Sequence, residues 1–213
     1  MWYGIGVSME EMYVWLKENL ADKGYKPEKI LDIGAWNGFW TINAKTFWPD
    51  SNYTCIEAGQ KHEDNLKKVA DQYHIAVLGD ENKEVDMYIN PVGYTKGATL
   101  LPASTNKKKR PDRRTMQTLD TLVGKDAKFD FIKQDIQGAE ILCMKGCPEI
   151  FQRADYVLNE VNLFSYAHSP NTPCRKSMDE YMRSIGFPYA ISINTHFGDP
   201  KQVDRLYSKK EFN

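Results

Sequence analysis

Short apolar runs alternate with segments of helical period along most of this chain, and that alternation restricts it to few architectures. Lys29 to Ile33, Asn52 to Ala58, Tyr73 to Leu78, Phe129 to Gln134 and Tyr156 to Val161 read as five buried strands. Phe39 to Trp48, stopped by Pro49, reads as a helix between the first two. His62, Leu66, Val69 and Ala70 mark a second helix, and a third runs from about Gly138 to Lys145. Strands separated by helices predict an α/β fold with a mostly parallel central sheet and helices on both faces. Met178, Tyr181, Met182 and Ile185 mark a late helix. Ala190 to Ile193 and Val203 to Tyr207 leave no room for a helix between them, which predicts an antiparallel hairpin at the sheet edge.

Outside that frame the signals are local. Ser8-Met9-Glu10-Glu11 fits a capping box ahead of the stripe Met9, Met12, Tyr13, Leu16 and Leu20, with Gly24 as the stop. Residues 1–28 are therefore expected to form an N-terminal helical segment. Glu84 to Ile89 is expected to extend or pair with the third strand. Residues 90–115, with Pro91, Gly93, Gly97, Pro102 and Pro111, read as a long loop or lid. No linker divides the 213 residues, so a single domain over 1–213 is expected. Charged residues at 27% beside 41% hydrophobic exclude general disorder, and a net charge of −1 gives no wholesale attraction to nucleic acid or membrane. No run approaches a membrane span, and no basic-then-apolar leader is visible at Met1-Trp2-Tyr3-Gly4. Cys55, Cys143, Cys147 and Cys174 lack zinc or redox spacing, which points to reduced thiols in a cytoplasmic protein.

In an open parallel sheet, ligands sit beyond the carboxyl ends of the strands. There the chain places Asp32 to Gly38, with the turn Gly34-Ala35-Trp36-Asn37-Gly38, then Glu57 to Gly59, Leu78 to Asp80, Gln134 to Glu140 and Asn159 to Phe164. The glycines would allow close backbone approach, but their spacing is not that of a dinucleotide fingerprint. A carboxylate at Asp32 would repel a pyrophosphate and favour a sulfonium or an ammonium. Glu57, at the end of the second strand, can accept both hydroxyls of a ribose. The combination suits S-adenosylmethionine, which carries both cations and no phosphate. The bland alternative is that Asp32 and Glu57 cap helices and the glycines serve a tight turn.

The segment Lys133-Gln134-Asp135-Ile136-Gln137-Gly138-Ala139-Glu140 resembles the K-x-D-x-E-G-x-E signature of the FkbM-type methyltransferases, with Gln137 where the family usually has Glu. Asp32-Ile33-Gly34-Ala35 with Gly38, Ile56-Glu57-Ala58, Val77-Leu78-Gly79-Asp80, Thr118-Leu119-Asp120 and Asn159-Glu160-Val161 follow in the family's order, so the resemblance covers roughly residues 29 to 162. It implies a Rossmann-like class I methyltransferase fold and S-adenosylmethionine-dependent transfer, most often to a hydroxyl oxygen of a sugar or small metabolite. By position it implies that the turn from Gly34 through Ala35 and Trp36 to Gly38 holds the methionine end. Glu57 would hold the ribose, residues around Val77 and Gly79 would flank the adenine, Ala58 would belong to the same cofactor site, and Asp135 would sit near the reacting methyl.

A hydroxyl acceptor must lose a proton, and Asp135, Glu160 and His168 are the candidates to receive it, in that order. A divalent metal on Asp135 and Glu160 is the less favoured route, because no compact ligand motif is present and Gln137 removes a charge. Residues 107–114, Lys107-Lys108-Lys109-Arg110-Pro111-Asp112-Arg113-Arg114, form the one strong basic cluster. Its functional reading is recognition of an anionic acceptor or a nucleic-acid backbone; the plainer one is a solvated loop. Phe39, Trp40, Phe164 and Tyr166 would suit a sugar-stacking pocket, although core packing is the commoner fate of Phe39 and Trp40. Two alternatives to a small-molecule or glycan acceptor remain. One is a nucleic-acid methyltransferase, against which the lack of a D/N-P-P-aromatic motif counts; the other is a non-catalytic module that keeps only the cofactor site.

Overall fold

The computed structural model describes residues 7–89, 99–100, 110–163, 173–195 and 202–212. Its strands are β1 (Lys29–Ile33), β2 (Asn52–Glu57), β3 (Gln72–Ile75), β4 (Val77–Leu78), β5 (Lys83–Ile89), β6 (Arg110–Gln117), β7 (Phe131–Gln134), β8 (Tyr156–Asn162), β9 (Tyr189–Thr195) and β10 (Gln202–Ser208). Its α-helices are α1 (Val7–Leu16), α2 (Phe39–Ala44), α3 (Glu63–Val69), α4 (Leu119–Val123), α5 (Glu140–Gly146), α6 (Pro148–Arg153) and α7 (Arg175–Ser184). Seven strands form one sheet in the order β3-β2-β1-β7-β8-β10-β9. The first five run parallel, and β10 lies antiparallel between β8 and β9. The chain leaves β1 toward β2 on one side and returns as β7 on the other. The switch point therefore lies between β1 and β7, where an α/β sheet opens a crevice for a ligand.

The period-two pattern of the central strands feeds two cores. Leu31, Ile33, Ile132 and Val157 face one side, with Met144, Phe151, Met178 and Met182 from α5, α6 and α7. Ile30, Phe131, Leu158 and Leu206 face the other, covered by Met12 and Leu16 of α1 and Trp40 and Ala44 of α2. Burying each such side chain contributes about 1.5–3 kcal/mol, which fixes register because a one-residue slip would exchange the two faces. After α1 the chain continues in a wider turn over Lys17–Ala21. It ends as Gly24 N–H donates to the Ala21 carbonyl and Tyr25 N–H to the Leu20 carbonyl, at 2.9 Å each. That double closure needs a left-handed residue, and Gly24 supplies φ 92°.

Several sequence expectations are corrected. The helix already includes Val7, so Ser8 lies within its first turn and not ahead of it. The third strand divides at Ala76: Gln72–Ile75 joins the main sheet, and Val77–Leu78 leaves it for a three-stranded sheet ordered β4-β6-β5. In that sheet β5 pairs antiparallel with β6, not with the third strand. Of the expected loop over 90–115, residues 110–115 belong to a strand, Arg110–Gln117, while 90–98 and 101–109 lie outside the described residues. Pro111 is tolerated there because β4 reaches only Met116 and Gln117, so β6 is an edge at the proline. The Phe39 helix ends at Ala44 and continues to Trp48 as turns, and β7 begins at Phe131 and not at Phe129. The terminal strands do pair as an antiparallel hairpin, with β9 at the edge.

Candidate functional site

A cavity of about 480 Å³ opens at the β1/β7 switch point. Gly34, Ala35, Trp36, Glu57, Ala58, Val77, Asp135 and Glu160 all line it, so eight of the residues singled out by sequence meet there. Asp32, Gly38 and Gly79 do not line it; His168, Phe164 and Tyr166 lie outside the described residues, as do Lys107 to Lys109.

Each absence from the wall has a local cause. Asp32 is fully buried; its carboxylate receives the Thr41 hydroxyl at 2.8 Å and pairs with Lys133 Nζ at 3.0 Å. Lys133 is its neighbour in register on β7 and also donates to the Gly34 carbonyl at 3.0 Å. Burial alone would lower the lysine's pKa, but Asp32 and then Asp135 outweigh it and keep Lys133 charged. The carboxylate before the first turn thus already has a cation, and it reaches the cavity only through Lys133. Gly38 abuts α3, where an added Cβ would stand 2.4 Å from a Val69 methyl; at Gly79 the same atom would meet Met116 Sδ at 2.1 Å.

The wall itself is built from two turns. In the first, Gly34 adopts φ 74°, and a Cβ there would lie 1.9 Å from the Asp135 carbonyl oxygen. The close neighbour that demands glycine is the second turn. Trp36 follows in the left-handed region at φ 50°, with its N–H donating to Glu57 Oε2 at 2.9 Å. Glu57 Oε1 takes the Gly59 N–H at 2.7 Å. Each carboxylate oxygen therefore spends one lone pair on the backbone and keeps another. Burial pushes the Glu57 carboxyl above its usual range, opposed by those two N–H bonds.

In the second turn, Gln137 has φ 57°. Its Nε2 donates to Asp135 Oδ1 at 2.8 Å and to Glu160 Oε2 at 2.9 Å, so one amide bridges the two candidate proton acceptors. Glu140 Oε1 accepts the N–H of Ile136 at 3.0 Å and of Gly138 at 3.2 Å, clamping the turn from beneath. Burial raises its pKa to about 7, with the backbone bonds pulling the other way. Burial, and then the charges of Asp135 and Asp204, hold the Glu160 carboxyl well above the carboxylate range.

Sequence reasoning missed three contributors: Tyr13 from α1, and Gln202 and Asp204 from β10. Tyr13 Oη and Trp40 Nε1 are buried on the cavity with no hydrogen-bond partner among the described residues. Asp204 stands opposite Glu160 in the β8–β10 register. The polar alternation Gln202, Asp204 was the available signal. Among the described residues, no three His, Cys, Asp or Glu side chains group so as to hold a metal ion. The basic cluster is partly neutralised within the chain: Arg113 reaches Glu84 and Asp86, while Arg114 pairs with Asp112 and donates to the Ala58 carbonyl. No helix of the described residues is long and apolar enough to cross a membrane.

A parallel sheet with one reversed strand near its edge, and a cavity of carboxylates at its switch point, define a Rossmann-like methyltransferase fold. The profile of the FkbM methyltransferase domain matches residues 32–189, and the chain belongs to that family. Solved structures agree on the fold. The ribosomal protein L11 methylase from Lactobacillus delbrueckii subsp. bulgaricus has a TM-score of 0.51 at 11% identity, over 98% of this chain and 81% of its own. The O-methyltransferase TomG from Streptomyces achromogenes, in complex with SAM, has a TM-score of 0.54 at 10% identity, over 97% and 82%. The cofactor-bound Rv0187 from MTB has a TM-score of 0.52 at 18% identity, over 97% and 83%. No curated protein matches the chain.

Proposed function

We propose that this methyltransferase moves a methyl group from S-adenosylmethionine to a hydroxyl oxygen of a sugar or small metabolite. The observation that carries this reading is the division of one cavity between Glu57 at one end and the bridged pair Asp135 and Glu160 at the other.

The residues present fit the cofactor. Glu57 keeps lone pairs suited to two ribose hydroxyls. Glu57, Asp135, Glu160 and Asp204 line a cavity whose lysine, Lys133, is already paired with Asp32, so its field favours a cationic ligand. Tyr13 Oη and Trp40 Nε1 are buried donors that a polar ligand would satisfy. When bound, the cofactor supplies an electrophilic methyl on a positive sulfur. The first turn, from Gly34 through Ala35 and Trp36, would hold its amino-acid end, with Asp32 acting through Lys133. Ala58 and Val77 would flank its base. Gly38 and Gly79 would support those walls through Val69 and Met116. Asp135 orients the acceptor hydroxyl and takes its proton, and Glu160 is the second proton acceptor in its ionised form, ranked behind Asp135 because burial and the charges of Asp135 and Asp204 favour its protonated form. His168 keeps only its sequence-based claim to that role.

The same reading takes residues 1–213 as a single cytoplasmic domain; three of its four free thiols are buried. It needs no metal, and it treats the basic cluster as solvated surface and not as a nucleic-acid contact. The test is a screen of hydroxylated acceptors with labelled cofactor, repeated with Asp135→Asn. Turnover should fall at least about a hundredfold, while calorimetry shows S-adenosylhomocysteine bound as before. Full turnover in the variant would remove Asp135 from the chemistry, and tight RNA or DNA binding at physiological salt would move the acceptor to nucleic acid.

A further inference from the structure

The second turn contains a cavity-lining residue, Gln137, that is neither among the proposed cofactor contacts nor a proton acceptor, yet touches both candidate bases. Gln137 lies in a left-handed backbone conformation, φ 57°, that glutamine adopts only where its surroundings impose it. They impose it from two sides. Thr99 Oγ1 donates to the Gln137 carbonyl at 2.9 Å, anchoring the backbone. The side-chain Nε2 donates to Asp135 and to Glu160, at 2.8 and 2.9 Å. An amide NH2 has two protons, so one serves each carboxylate and neither is shared.

Two carboxylates on neighbouring strand ends, with Asp204 in register beside one of them, would repel each other if left bare. A neutral double donor between them offsets that repulsion without adding or removing charge. We propose that Gln137 is a positioning residue, a neutral cross-brace that holds Asp135 and Glu160 in place as a metal-independent pair. The proposal deepens the reading given above and rests on it for the role of Asp135. A glutamate here would be nearly the same shape but of opposite hydrogen-bonding character. It would set three acidic side chains around one point, an arrangement relieved either by protonation of one of them or by a divalent cation among them. A leucine would remove both hydrogen bonds and supply no ligand.

The test compares the full-length protein with Gln137→Glu and Gln137→Leu. Manganese binding is measured by calorimetry in the presence of S-adenosylhomocysteine. The Gln137→Glu protein should bind Mn2+ at least about tenfold more tightly than the wild type or Gln137→Leu, a difference of about 1.4 kcal/mol. In the methyl-transfer assay both variants should lose most of kcat while KM for the cofactor stays within about twofold. The wild type should keep its rate in EDTA, and added Mn2+ should recover rate only in Gln137→Glu. Equal Mn2+ affinity in all three proteins, or an unchanged kcat in Gln137→Leu, would overturn the proposal. So would loss of S-adenosylhomocysteine binding in both variants, which would make Gln137 part of the cofactor site. The metal measurement needs no acceptor, so a mistaken acceptor class and a mistaken brace give different results.

Discussion

The two turns that frame the cavity use the same device to different ends. Each follows a central strand, carries a non-glycine residue at positive φ, and is clamped by a glutamate that accepts two backbone N–H groups. In the first turn the clamp is Glu57, which uses one oxygen for each donor and also faces the cavity. In the second it is Glu140, which uses a single oxygen for both, lies buried, and does not line the cavity. The comparison separates two jobs that a turn-clamping acid can hold. Glu57 combines support with a place on the cavity wall. Glu140 only supports, and the cavity-facing positions go to Asp135, Gln137 and Glu160.

The largest expected effect comes where the turns touch. Gly34→Ala would drive a methyl to within 1.9 Å of the Asp135 carbonyl oxygen at a φ of 74°. Backbone cannot yield as a flexible side chain would, so the loss should exceed about 3 kcal/mol in chemical denaturation. Gly24→Ala is the control: its φ is 92° but nothing lies within 4 Å, and it should cost only about 1 kcal/mol. Equal stability of the two variants would show that the turns are not interlocked.

How much of this was legible in the sequence depended on the range of the interactions. The strand Lys29-Ile30-Leu31-Asp32-Ile33 was plain because both its faces are buried and its apolar run is continuous. Glu57, Asp135 and Glu160 could be placed because a strand end is a local property. Lys133 was visible as a motif residue, but not as the partner of Asp32, because that pair exists only once β1 and β7 are in register. β6 was hidden by Pro111 and its run of charges, of which Arg113 pairs with Glu84 and Asp86 across the ladder. Tyr13 and Asp204 reach the cavity from opposite ends of the chain; the alternation Gln202, Asp204 marks a strand face, but only long-range packing brings that face to the cavity.

The clamps themselves can be told apart by an isosteric exchange. Glu57→Gln replaces one acceptor oxygen with an NH2 that faces a backbone N–H, leaving a buried donor unsatisfied. It should cost about 1–3 kcal/mol in stability and weaken S-adenosylhomocysteine binding at least about tenfold. Glu140→Gln keeps the one oxygen that takes both N–H groups, and should cost about 1 kcal/mol or less. If the two variants lose the same stability, and cofactor affinity changes in neither, the division of labour between the turns is wrong.

A pH dependence carried by Glu140 tests the second clamp further. Its carboxyl titrates near 4.5 when unfolded and about 7 in the buried site. Between those values the folded state holds a proton that the unfolded state has released, so stability must fall as pH rises. The contribution is fully present below about 4.5 and is lost as pH passes through about 7. Glu140→Gln removes the titration and keeps the hydrogen bonds, so its stability should be flatter across that window, by up to about 3 kcal/mol. Denaturation at several pH values measures the slope directly. Parallel curves for wild type and variant would mean that the Glu140 carboxyl is ionised throughout, held by the Ile136 and Gly138 N–H groups against the cost of burial.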